Sequence, residues 1–116
     1  NAPIFGVDPN GRVTEWNRKA SELLGYTKAE TKGKNLVDQF VERKSQFSVQ
    51  GVLQDALTGK ETANFECTLL SKTTFPYTVL LNATARRNAK GEVTGVVCVG
   101  QDITELNQVL SESKRV

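Results

Sequence analysis

The chain has 116 residues, which fits one domain built around one hydrophobic core. Its net charge of +2 provides neither a basic field for nucleic acid nor a polybasic anchor for an acidic membrane. No apolar run nears the ~20 residues that span a bilayer. Histidine is absent, which removes Ser/His/Asp and Cys/His relays, histidine-ligated haem, the usual zinc sites and any internal phosphoacceptor histidine. The expectation is a protein that is not itself an enzyme and that binds neither nucleic acid nor membrane.

Ile4 to Val7 is a short apolar run, and Asp8-Pro9-Asn10-Gly11 is a turn signal. Arg12 to Trp16 alternates, so the chain opens with a β-hairpin. Asn17 is a good N-cap, and Ala20, Leu23 and Leu24 place one apolar face on a helix that Gly25 would end. Thr27 and Glu30 have the spacing of a capping box for a second, very short helix, ended by Gly33. Leu36, Val37, Phe40 and Val41 suggest a further turn of helix. Over Ser45 to Thr58, Val49, Val52, Leu53, Ala56 and Leu57 give the clearest helical stripe, interrupted by Gly51 and stopped by Gly59.

Three strands follow. Ala63, Phe65, Cys67 and Leu69 alternate with polar residues, and Tyr77, Val79, Leu81 and Ala83 share one side of the next run. After the turn Asn88-Ala89-Lys90-Gly91, the unbroken Val96-Val97-Cys98-Val99 suggests a sheet covered on both faces. Ile103, Leu106, Val109 and Leu110 then fall at helical spacing, on a helix leaving the domain. Two strands, a helical crossover and three meandering strands make an α+β fold, with a five-stranded antiparallel sheet and helices on one face. The domain boundary falls at 104, with a linker helix over 105–116.

The chain lacks methionine and starts at Asn1, as expected of a domain excised from a larger protein. Cys67 and Cys98 lie in apolar strands too far apart in sequence for a disulfide framework or a metal pair, and read as reduced core thiols in a cytoplasmic setting.

Several segments, in the right order, resemble the PAS family. Ala2-Pro3-Ile4-Phe5-Gly6-Val7-Asp8 with Gly11 is similar to its first hairpin. Trp16-Asn17 with Leu24-Gly25-Tyr26 is similar to its first helix, and Gly33-Lys34-Asn35 to the start of its central helix. Gly95 to Thr104, ending Gln101-Asp102-Ile103-Thr104, resembles the terminal strand of PAS repeats in plant-type phytochromes and hybrid histidine kinases. In phytochromes those repeats carry no bilin and serve signal transmission and dimer contacts. The flavin-binding LOV branch resembles the chain less well. Leu36 stands where LOV domains keep their reactive cysteine, and Val79 and Gly100 stand where they keep the amides that hold the flavin edge.

The resemblance implies a signal-transduction module that pairs with its own copy or with a partner PAS or effector domain, and relays to an effector beyond its C-terminus. It implies that Asp102 and Thr104 form the relay junction, where a carboxylate and a hydroxyl two residues apart can lock strand to helix. Ile103, Leu106, Val109 and Leu110 would form the dimer or linker helix. No cofactor is expected. The alternative is a sensor for an unknown small molecule (a metabolite, lipid or flavin) whose pocket would be lined by Leu36, Phe40, Leu53, Leu57, Phe65, Val79, Leu81, Val97 and Val99. Arg86 is placed to reach Asp102, or is plain loop charge beside Arg87.

Overall fold

The computed structural model describes residues 2–105. The opening hairpin joins β1 (Ile4–Val7) to β2 (Val13–Trp16). Its turn holds because Asp8 Oδ1 accepts from the amides of Asn10 (2.8 Å) and Arg12 (3.0 Å), while Gly11 takes a φ of 82°.

Helix α1 (Arg18–Leu24) starts on Asn17, whose Oδ1 accepts from Ala20 N at 2.9 Å. The same oxygen accepts from Ile4 N (2.9 Å), and Asn17 Nδ2 donates to the Ala2 carbonyl (2.9 Å). One side chain thus ties a helix start to the first strand. The Thr27–Glu30 capping box forms at α2 (Lys28–Thr31). Glu30 also meets Lys72 Nζ at 2.5 Å, which pins α2 to the turn that follows Leu70 and holds the Glu30 carboxyl below its ordinary range. Helix α3 (Leu36–Phe40) is capped by Asn35.

The longest helix, α4 (Arg43–Leu57), begins two residues before its apolar stripe predicts. The reason lies in the residues before it. Val41 bridges to Leu69, and Glu42 N donates to the Thr68 carbonyl at 2.9 Å, fixing the chain against the sheet at that point. Strands β3 (Thr62–Leu70), β4 (Pro76–Arg87) and β5 (Val93–Asp102) complete a sheet of order β2-β1-β5-β4-β3, antiparallel throughout.

Between sheet and helices runs a row of aromatic rings. Phe5 and Trp16 lie 5.9 Å apart, Trp16 and Phe40 5.5 Å, and Phe40 and Tyr26 4.9 Å. Trp16 Nε1 donates to the Tyr26 carbonyl at 3.1 Å, so the buried indole keeps its hydrogen bond.

Candidate functional site

The register of β4 against β5 decides which residues face the helices. Leu81 pairs with Gly100 and Ala83 with Cys98, so Val96, Cys98 and Gly100 point inward. Leu36, Phe40, Leu53, Val79 and Leu81 join them in one continuous buried core, with Leu57 and Phe65 packed against it. Val97 and Val99 point the other way, which corrects their expected place on the inner wall. Val97 is half-buried and Val99 is 38% exposed. Four consecutive apolar residues offer no period-two contrast, so the local sequence does not set their parity.

The same register bears on flavin recognition. Gly100 faces Leu81, and a Cβ there would sit 3.2 Å from Leu81 Cδ2. Gln101, the nearest amide, lies on the exposed outer face. Burial pushes the thiols of Cys67 and Cys98 up to about 12, so neither supplies a thiolate nucleophile at neutral pH.

The outer face is mixed. A depression of about 590 Å³ on it is open to solvent and lined by Ala2, Pro3, Asn64, Leu80, Asn82, Val99, Gly100, Gln101 and Asp102. Asn82 Oδ1 accepts from Asn64 N at 2.8 Å, so its amide nitrogen is left to face the depression. Arg86 does not reach Asp102. It pairs with Glu15, because its strand partner is Gly95, seven residues from Asp102 along β5. Glu15 is in turn opposite Gly6, so the ion pair lies across strands whose facing positions carry no side chain.

The end of β5 is the most heavily bonded part of this face. Ile103 N donates to the Thr78 carbonyl at 2.9 Å. Thr104 Oγ1 accepts from Thr78 N (2.9 Å) and donates to Asp102 Oδ1 (2.6 Å), which also accepts from Thr104 N (3.0 Å). The chain leaving the sheet is therefore held on both backbone groups of Thr78, with Asp102 orienting the hydroxyl that does the holding. Asp102, Thr104 and Ile103 come together as a unit. Leu106, Val109 and Leu110 lie outside the described residues. Thr78 was missed from sequence, because only the strand register reveals that it faces Thr104.

A family model described as the PAS fold matches residues 1–103. The chain belongs to the PAS family. It is 41% identical over 110 residues to phytochrome B1 of Solanum lycopersicum, covering 89% of this chain and 10% of that protein. It is 36% identical over 110 residues to phytochrome E of Arabidopsis thaliana, again covering 89% of this chain and 10% of the relative. The chain thus spans about a tenth of these curated relatives. Among solved structures, the PAS domain of a protein from Colwellia psychrerythraea superposes with a TM-score of 0.78 at 18% identity, covering 89% of this chain and 86% of that one. This PAS domain is accordingly a signalling or sensory domain. No helix among its described residues is long and apolar enough to cross a membrane.

Proposed function

We propose that this PAS domain is a non-catalytic relay and pairing module of a longer cytoplasmic signalling protein. It transmits through the end of β5 to an effector that follows, and it associates with its own copy or with a partner PAS or effector domain. The observation that carries this reading is the lock at Asp102, Thr104 and Thr78. Charge-assisted and backbone hydrogen bonds converge where the chain leaves the sheet, so a change in sheet packing reaches the departing segment through fixed bonds. The similarity to phytochromes supports the same role, since the matched segment is a small part of a long signalling protein.

Packing among the residues of the apolar wall supports the reading without a ligand. Leu36, Phe40 and Leu53 from the helices meet Val79 and Leu81 from the sheet in one cluster. The purified 116-residue protein should show only protein absorbance, and the supernatant after denaturation should contain no stoichiometric small molecule by mass spectrometry. Multi-angle light scattering should show the mass rising with concentration. A chromophore band or a stoichiometric ligand would replace relay by sensing, and a monomer at every concentration would remove self-association.

A further inference from the structure

Helix α4 carries a feature that its packing does not use. Val49, Leu53 and Ala56 point into the core. On the opposite side Phe47 is 91% exposed. One turn later comes Gly51, where an added Cβ would meet nothing within 4 Å. A glycine inside a helix weakens it relative to alanine, and here no neighbour requires the missing side chain. A fully exposed ring therefore stands one turn from a bare stretch of helix backbone. The same side carries the exposed cations Arg43 and Lys44 in the first turn and the exposed Asp55 in the last. Arg43 and Asp55 have no ion-pair partner among the described residues, and Lys44 has only a 3.8 Å contact with Glu42.

These features are self-complementary. When two copies of α4 run antiparallel with residue 49 level with its mate, position i faces position 98 minus i. Phe47 then lies level with Gly51 of the second copy, and each ring has a bare patch to sit on. In the same register Lys44 is level with Gln54 of the second copy and one residue from Asp55 of the second copy, and at 100° per residue Lys44 and Asp55 share one edge of the contact. Arg43 lies on the other edge, one residue from Gln54 of the second copy. The antiparallel arrangement also sets each helix dipole against the opposite end of the other.

We propose that two copies of this PAS domain pair through the outward face of α4, antiparallel, with Phe47 of each seated over Gly51 of the other and Lys44 against Asp55. This rests on the self-pairing reading above and names the surface that performs it. The contact is isologous, as a two-fold dimer requires. A single helix pair buries little area, so the dimer is weak.

The test is sedimentation equilibrium of the 116-residue protein and its variants, with circular dichroism confirming the fold of each. Phe47→Glu changes a solvent-exposed side chain, so it should fold normally and weaken the dimer by about tenfold or more. Lys44→Glu and Asp55→Lys should each weaken it by roughly threefold, and the double swap should restore it, since the charges meet again across the two-fold. A dimer unaffected by Phe47→Glu, or charge variants without mutual rescue, would overturn the α4 surface while leaving self-pairing in place. A wild-type protein that stays monomeric would instead remove the pairing reading on which this surface depends.

Discussion

Phe40→Ala should lower the stability of this PAS domain by about 3–5 kcal/mol, the range for deleting a buried aromatic ring. Phe40 is 2% exposed, and its ring lies between Trp16 and Tyr26. Removing it takes away transfer energy and dispersion contacts together, and the Trp16 indole cannot tilt into the space without breaking its hydrogen bond to the Tyr26 carbonyl. In thermal unfolding this corresponds to a Tm lower by roughly 15–25 °C for a domain of this size. The result separates two roles for the same residue. Core packing requires the full loss. If Phe40 instead borders open volume kept for a ligand, truncation adds little new cavity and the cost in urea denaturation falls to the transfer term alone, below about 3 kcal/mol.

Two glycine substitutions should give opposite signs. Gly95→Ala places a Cβ 2.2 Å from the Val7 carbonyl oxygen, an atom of the neighbouring strand's backbone. Nothing flexible can move aside, so β1 or β5 must shift, and the interstrand bonds near Val7 and Val96 shift with it. The expected loss is about 3 kcal/mol, at the upper end of overpacking costs. Gly51→Ala adds the same methyl group to open space in a helix interior, and should stabilise the monomer by about 0.5–1 kcal/mol. Both are read by the denaturant midpoint of purified protein. A neutral Gly95→Ala would show that β1 and β5 are not held at this separation.

Much of the fold could be read from local chemistry. Asn17, Gly25, Thr27 with Glu30 and Gly59 punctuate the helices as their side chains and backbone freedom require. The order of strands and helices followed from period and length. What local chemistry does not carry is register. Val97 and Val99 read equally well as inner-face residues because the run Val96 to Val99 is apolar on both sides, and only the pairing of Leu81 with Gly100 fixes the parity. For Arg86 the sequence leaves plain loop charge or a pairing with Asp102, and strand pairing instead places it beside Gly95 and within reach of Glu15.

The candidate junction was half legible. Asp102 and Thr104 stand two residues apart in one segment, and their mutual hydrogen bond is local. Thr78 is distant in sequence and enters only when β4 and β5 are aligned. Phe47 was legible in a different sense. It lies two residues before Val49, off the buried stripe, so its exposure follows from helical spacing. Its significance needed the open space at Gly51, which sequence does not show.

The relay claim rests on Thr104 acting as more than a strand terminator. Thr104→Val keeps the side-chain shape but removes the hydroxyl that accepts from Thr78 N and donates to Asp102. The folded domain should survive with a modest loss of about 1–2 kcal/mol. In the longer protein that the relay reading requires, the decisive measurement is the output of the domain that follows, with Thr104→Val against wild type. Relay through the β5 junction predicts an output uncoupled from changes in this domain, with the fold intact by circular dichroism. An output that responds as in the wild type, with the Thr78–Thr104 bonds gone, would contradict it.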